Sequence, residues 1–269
     1  GGGLRDLRER SDSSIGRMIA KDGPNILCDA NYDKSHSAKW AHNPVVAAHV
    51  APLQVHFQGH PGTTGSSYHD YMAADRVSVP PEATPHMSEK MVWLPDHYLV
   101  NDLQRNYESA LAGPTRAEWA EHLGLPSDGF FFANYGVASK IDPSVFAVWC
   151  NVMARVPRSV LLLIIADKQP PEIEDRLKDE AGSRGIDPAR IRFLPEVTPE
   201  EHLQRLEVAD LYLDTFWYNS HTITVDALFA GLPVVTMMGE AVPSRVAAAA
   251  MEAAGLGALV AGSPREYED

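Results

Sequence analysis

The sequence predicts an α/β protein whose second half is built on a parallel, doubly wound sheet. Two observations lead to this class. From residue 130 onwards, apolar strands alternate with amphipathic helices, the pattern of a parallel sheet with helices on its faces. The segment VLLLIIAD, residues 160–167, is apolar throughout, as a strand is when helices cover both faces of its sheet. We divide the chain into an N-terminal unit (1–103), a connector (104–129) and a C-terminal unit (130–269).

In the N-terminal unit, short strands are separated by glycine and proline. A glycine-rich turn, GHPGTTGSS, occupies residues 59–67, and a proline-rich loop surrounds Pro80 and Pro81. The connector is polar, and its sequence predicts one short helix at residues 116–123. Strands are expected at residues 25–31, 51–58, 71–79 and 91–100.

In the C-terminal unit, helix boundaries are marked by their usual residues. Thr198 is followed three residues later by Glu201, which is the pattern of a capping box. Another helix is predicted to open at His221 and Thr222 and to close at Gly231. The remaining expected elements are strands 130–135, 160–167, 191–196, 210–215 and 233–236 and helices 143–157, 172–183 and 244–254.

Composition restricts the function classes. A formal net charge of −13 and a pI near 5.2 argue against binding to nucleic acid or to a membrane surface. No apolar run approaches a membrane span, and no signal-peptide pattern is present. Cys28 and Cys150 lie in apolar surroundings, so we expect buried thiols and a reducing compartment, either cytoplasm or nucleus. The missing initial Met and the opening run of three glycines suggest a fragment.

The segment DTFWYNSHTITVDALFAGLPVVT predicts an anion site. It reads as a strand end, a polar loop and a helix that opens at His221 and Thr222. The first N–H groups of a helix have no intrahelical partner, and the helix dipole favours negative charge there. Asp226 lies one turn further along, where its carboxylate could hold sugar hydroxyls. The alternative is an ordinary αβ unit with a polar loop.

Three other loops are predicted to open at the same edge of the sheet, because parallel strands bring their carboxyl ends together. Lys140 follows the first strand of the unit, and Gly239 follows the strand 233–236. His202 and Arg205 lie on adjacent turns of the capped helix. Taken singly, each is typical of a solvated surface residue. Together they would suit a nucleoside diphosphate, with groups for base, phosphate and ribose.

Four long segments then carry a resemblance to a known family. They are ANYGVASKIDPSVFAVWCNVMARVPRSVLLL, PEEHLQRLEVADLYLDT, NSHTITVDALFAGLPVVTMMGEAVPSRVAA and HFQGHPGTTGSSYHDYMAADRVSVPPE. Together they resemble the catalytic region of protein O-GlcNAc transferases, from about Asp22 to the end of the chain. The resemblance implies a GT-B-type fold of two Rossmann-like lobes, of which the N-terminal one is incomplete here. It also implies transfer of N-acetylglucosamine from UDP-GlcNAc to Ser or Thr of proteins, with inversion.

The resemblance also assigns roles to individual positions. Lys140 matches the catalytic lysine that neutralises the departing diphosphate, and Asp226 matches the carboxylate that holds the ribose. Ile223 stands where the family has a second Thr, so the backbone N–H is kept and a hydroxyl is lost. The positions implied to bind the donor are Val197, His202 and Arg205 at the base, His221, Thr222 and Ile223 at the phosphates, Asp226 at the ribose, and Gln58, Gly59 and Pro61 at the sugar.

Some family features are altered or missing. Val137 replaces a glutamine before the lysine, Pro199 replaces a lysine near the base, and residues 31–43 do not preserve an arginine-containing motif. No cofactor and no metal are expected beyond the donor, since the eight histidines before residue 100 are scattered and the sequence offers no Asp-x-Asp pair for a metal. The sequence does not identify a general base.

Three functions remain open at this point. The first is a metal-independent transferase of N-acetylglucosamine, or part of one, with protein or peptide acceptors as partners. The second is a relative that uses another donor, such as GDP-fucose. The third is a nucleotide-binding scaffold that has lost catalysis, because the nucleotide pocket is substituted.

Overall fold

The fold was analysed in a computed structural model that describes residues 5, 10–30, 44–165, 170 and 172–269. The chain divides into two units, Gly1–Tyr98 and Leu99–Asp269. Each unit contains one sheet, and the paired strands within each sheet are parallel. The predicted fold class is therefore confirmed. None of the helices in the described ranges is long and apolar enough to cross a membrane.

The first unit is a four-stranded parallel sheet in the order β1-β2-β3-β4. One face of this sheet remains partly open: Ile26, Leu53 and Val92 are 55%, 41% and 42% exposed. Its elements are α1 (Asp12–Asp22), β1 (Ile26–Asp29), α2 (Pro44–Ala47), β2 (Leu53–Phe57), β3 (Tyr71–Ala74) and β4 (Lys90–Trp93).

Two strands in this unit are shorter than predicted. The strand expected at residues 71–79 ends at Ala74 because the carboxylate of Asp75 accepts hydrogen bonds from the backbone N–H groups of Val77 and Ser78, which turns the chain. The strand expected at 91–100 becomes Lys90–Trp93, just before Pro95. Residue 31 of the first predicted strand and the altered motif at 31–43 lie outside the described residues.

The two cysteines differ in their surroundings. Both thiols are free, and Cys150 is buried as predicted. The prediction of a buried Cys28 was wrong, since this residue is exposed. It shares the exposed face of the edge strand β1 with Ile26, whereas Leu27 and Asp29 are half-buried on the other face.

The second unit is a six-stranded parallel sheet in the order β10-β9-β8-β5-β6-β7. The order reverses beside β5, the topological switch point where doubly wound sheets bind ligands. Its strands are β5 (Phe130–Asn134), β6 (Ser159–Ile165), β7 (Ile191–Pro195), β8 (Leu211–Leu213), β9 (Val234–Met237) and β10 (Val260–Ala261). Its helices are α3 (Leu103–Tyr107), α4 (Arg116–His122), α5 (Pro143–Arg155), α6 (Glu172–Ser183), α7 (Pro199–Leu206), α8 (Thr222–Phe229), α9 (Val246–Ala253) and α10 (Pro264–Glu268).

Two apolar layers cover the faces of this second sheet. Leu162 of β6 belongs to one layer, while Leu161 and Leu163 belong to the other. All three leucines are at most 1% exposed, which confirms that both faces of the sheet are covered. The predicted connector, residues 104–129, contributes Ala110, Ala120 and Leu125 to the first layer. Residues 166 and 167 of the predicted strand lie outside the described ranges.

Candidate functional site

Lys140 and the loop before α8 meet at the carboxyl edge of the second sheet. β5 and β8 are neighbouring parallel strands, so the turn that carries Lys140 and the loop after β8 emerge side by side. The Nζ atom of Lys140 donates a hydrogen bond to the backbone O of Asn219 at 2.8 Å. The same atom lies 4.3 Å from the centre of the Tyr218 ring, a cation–π contact. The structure thus brings the predicted catalytic lysine to the predicted phosphate loop.

The N-terminus of α8 carries no side-chain cap in the part of the chain that the structure describes. His221 is the N-cap residue, and its side chain makes no capping hydrogen bond to the first-turn N–H groups. The His221 ring stacks on Tyr218, with centroids 4.7 Å apart and planes at 19°. Its Nε2 lies 3.0 Å from the backbone O of Pro243. A continuous series of contacts therefore connects Lys140, through Tyr218, to a helix start that favours an anion.

Burial changes the ionisation of the charged pair at this edge. Desolvation lowers the pKa of Lys140 to about 8, although the nearby Asp214 opposes the shift. Desolvation raises the pKa of Asp214 to about 6, although hydrogen bonds from Thr236, Ser220 and Thr215 oppose it. At neutral pH the lysine is mostly protonated in an environment that disfavours its charge. An arriving anion would relieve that cost.

Asp214 anchors the predicted phosphate loop to the sheet through buried hydrogen bonds, a role that the sequence does not reveal. Its side chain is fully buried. Oδ1 accepts from the backbone N–H of Ser220 at 2.6 Å, and Oδ2 accepts from the Thr236 hydroxyl at 2.7 Å. The Tyr212 hydroxyl lies 2.8 Å from Ser220 Oγ and holds the same residue from the strand side. The only sequence signal was an acidic residue at the end of an apolar strand.

His202 and Asp226 form a second contact between the predicted donor residues. His202 Nε2 lies 3.4 Å from Asp226 Oδ2, and both side chains are about four-fifths buried. The His202 ring also approaches Tyr135 edge-on, with centroids 5.9 Å apart. The capping box predicted for Thr198 and Glu201 is present and begins α7 in the orientation that presents His202. The residues predicted at the base and at the ribose are thus neighbours.

Arg205 is buried at the end of α7, and its contact with the base stays a prediction. It is 1% exposed, its Nη1 donates to the backbone O of Pro195 at 2.7 Å, and its guanidinium lies 5.0 Å from the Tyr135 ring. Its Nε and Nη2 atoms have no partner among the described residues. The hydrogen bond from Arg205 to Pro195 connects the end of β7 to α7, the helix that also carries His202. Val197, on the loop before α7, is 36% exposed.

Two further residues at this edge have structural roles of their own. The side chain of Ile223 packs against the first apolar layer. Only its backbone N–H therefore stays with the first turn of α8 as a group for an anion. A Cβ on Gly239 would lie 2.3 Å from Ser244 Oγ, and the N–H of Gly239 donates to the backbone O of Ser244 at 2.8 Å. The chain itself therefore approaches Gly239 closely, through Ser244.

The residues predicted to touch the sugar lie in the first unit. Gln58 adopts a left-handed conformation with φ of 59°, an uncommon one for a residue with a side chain. Its Nε2 donates to the backbone O of Tyr98 at 3.4 Å. Gly59 and Pro61 are buried. The contact of these three residues with a sugar stays a prediction.

The fold and the site define a class of protein. Two α/β units, each built on a parallel sheet, are the architecture of GT-B-type glycosyltransferases. The chain matches the model of glycosyl transferase family 41 over residues 8–113 and 114–269. It belongs to this family.

Relatives and a solved structure agree with the assignment. The chain is 36% identical over 265 residues to the probable UDP-N-acetylglucosamine–peptide N-acetylglucosaminyltransferase SEC of Arabidopsis thaliana, covering 98% of this chain and 26% of that protein. It is 27% identical over 354 residues to the Caenorhabditis elegans UDP-N-acetylglucosamine–peptide N-acetylglucosaminyltransferase, covering 93% of this chain and 30% of that protein. A mutant O-GlcNAc transferase of Thermobaculum terrenum superposes with a TM-score of 0.84 at 27% identity, covering 98% of this chain and 48% of that one. The chain thus spans between a quarter and a third of these curated relatives.

Proposed function

We propose that this chain is the donor-binding part of a protein O-GlcNAc transferase. The reaction moves N-acetylglucosamine from UDP-N-acetylglucosamine to Ser or Thr hydroxyls of proteins or peptides, with inversion. Membership of family 41 supports the transfer, and the names of both curated relatives support the donor and the acceptor class. The observation that carries the proposal is Lys140 Nζ beside the uncapped start of α8.

The chemistry follows from where charge develops. As the acceptor hydroxyl gives up its proton to a general base and its oxygen bonds to the anomeric carbon, the bond from that carbon to the β-phosphate oxygen breaks and UDP leaves with added negative charge. Lys140 exchanges its neutral partner, the Asn219 carbonyl, for this anion, and the α8 N–H groups stabilise the same charge. These groups neutralise the diphosphate without a metal ion on it. We assign His202 to the base and Asp226 to the ribose, and the 3.4 Å contact between their side chains supports a shared site.

Titration calorimetry of the chain with nucleotides tests the proposal. We expect UDP to bind more tightly than GDP, with an affinity that does not change when Mg²⁺ is added. Lys140→Ala should weaken the binding, whereas Lys178→Ala, a change on α6 at a lysine paired with Glu174, should not. Tighter binding of GDP than of UDP would indicate a donor with a guanosine diphosphate, such as GDP-fucose. Absence of nucleotide binding would refute the proposal, and binding without turnover in the full-length protein would indicate a scaffold.

A further inference from the structure

Three side chains in the first unit have the composition of a metal site. Asp29 ends β1, and His56 lies in β2 at the register position paired with Asp29. His69 lies two residues before β3. One ligand atom from each residue lies within 4.8 Å of the other two. His56 and His69 are only 5% and 6% exposed, so the cluster is not a chance grouping of solvated side chains.

We propose that Asp29, His56 and His69 bind a divalent transition-metal ion, with Zn²⁺ as the preferred ion. Two imidazoles and one carboxylate form a common ligand set for zinc and for other first-row metals. Ligands about 2.1 Å from a tetrahedral zinc lie about 3.4 Å from one another. Asp29 Oδ2 and His69 Nε2 are already 3.1 Å apart. Three protein ligands leave a fourth position for water or another small ligand.

The outer nitrogen of His69 has the kind of partner that orients a metal-binding histidine. Its Nδ1 lies 2.8 Å from Ser66 Oγ and 3.3 Å from Thr64 Oγ1. The Thr64 hydroxyl in turn donates to Glu89, a buried carboxylate. With Nε2 on the ion, the ring proton sits on Nδ1 and is donated to Ser66, a hydroxyl that can accept as well as donate. Such outer partners fix the tautomer and the ring orientation.

His56 is oriented in the same manner. Its Nε2 lies 2.8 Å from the backbone O of His60. A carbonyl can only accept, so Nε2 carries the proton and Nδ1 of the neutral ring keeps its lone pair for an ion. Both rings are thus held through one nitrogen, which leaves the other for the ion. An Asp–His hydrogen bond beside an unrelated histidine is the competing explanation, and it predicts no metal binding.

The position of the cluster gives the ion a structural consequence. The His60 carbonyl lies near the start of the glycine-rich turn at residues 59–67, and Thr64 and Ser66 lie near its end. A bound ion would hold His56 and His69, and through them both ends of this turn, on the sheet. Zinc should therefore raise the melting temperature of the chain, because an ion that binds only the folded state stabilises it.

Metal titration of the 269-residue chain tests the site. After chelation and dialysis, Zn²⁺ calorimetry should give one ion per chain, and Co²⁺ should give the visible absorption of a low-coordinate nitrogen–oxygen site. Asp29→Asn keeps the shape of the side chain and should weaken Zn²⁺ by about a hundredfold or more, since loss of an outer partner alone costs 10–100-fold. His69→Gln should have the same effect.

The control is His86→Ala, which removes an exposed histidine from the same unit. We expect its Zn²⁺ affinity and Co²⁺ spectrum to equal those of the parent. If the parent shows no Co²⁺ absorption and no stoichiometric zinc, the proposal is overturned, whether or not the variants fold. Equal zinc affinity in the parent and in Asp29→Asn overturns it as well. These readouts do not depend on nucleotide binding or transfer.

Discussion

Replacing Lys140 by alanine would test the proposed electrostatic role directly. The pKa of this lysine is lowered from 10.5 to about 8, chiefly by burial. At about 1.4 kcal/mol for each tenfold change, the charged form is held at a cost of about 3 kcal/mol. If the departing diphosphate recovers this free energy in the transition state, Lys140→Ala should lower kcat by about two to three orders of magnitude. Affinity for UDP-N-acetylglucosamine should fall much less, because the full charge develops only as the bond breaks.

The assay is steady-state transfer to a peptide by the full-length, active protein, combined with calorimetry of donor binding. Lys140→Met keeps an apolar chain over Tyr218, so it separates the charge from the packing and should match the alanine variant. Lys178→Ala is the control for the loss of a lysine elsewhere in the unit. A kcat for Lys140→Ala within about threefold of the parent, a change in barrier below about 1 kcal/mol, would refute the reasoning.

Three further predictions concern neighbouring residues. His202→Ala should weaken UDP by about threefold to tenfold in calorimetry, the effect of one hydrogen bond to the uncharged base; unchanged affinity would show that α7 does not face the nucleotide. Burial raises the pKa of Asp214 from 3.8 to about 6, so its contribution, about 3 kcal/mol, favours the fold below pH 3.8 and is lost as pH rises through 6. The free energy of unfolding in urea should therefore fall by this amount between pH 3.8 and 6, and Asp214→Asn should lose this part of the pH dependence. The same pH dependence in the parent and the variant would contradict the prediction. Gly239→Ala should cost about 1–3 kcal/mol in unfolding because its Cβ would overlap Ser244, whereas Gly182→Ala, with a nearest contact of 3.5 Å, should not destabilise.

The second unit was the more predictable because its elements carry independent local signals. The Thr198 capping box and the apolar run of β6 each mark an element without reference to the rest of the chain. The strand predicted at 71–79 failed past Ala74, since β-branched residues favour a strand but the Asp75 turn depends on a side-chain hydrogen bond. β10 was missed because two residues show no periodicity.

Sequence patterns located the residues at helix starts and strand ends, but not those that join separate loops. Lys140 and His221 were predicted, yet Asn219 accepts from Lys140 only because β5 and β8 are neighbours. The histidines of the first unit are scattered along the sequence. The sheet register and the glycine-rich turn bring His56 and His69 close to each other and to Asp29. Neither feature produces a residue spacing that can be recognised in the sequence.

Buried hydrogen bonds hold the loops after β5 and β8, so substitutions at buried and at exposed positions of these loops should have different effects. Asp214, fully buried, fixes the phosphate loop, and Asn134 donates to the backbone O of Leu213 at the adjacent strand end. On the same loops Trp217 is 73% exposed and Val137 is 38% exposed. Neither side chain takes part in the buried hydrogen bonds of Asp214 and Asn134. Under the proposed function, substitutions of outward-facing side chains should change the donor preference, while the buried anchoring residues and the stability of the fold stay the same.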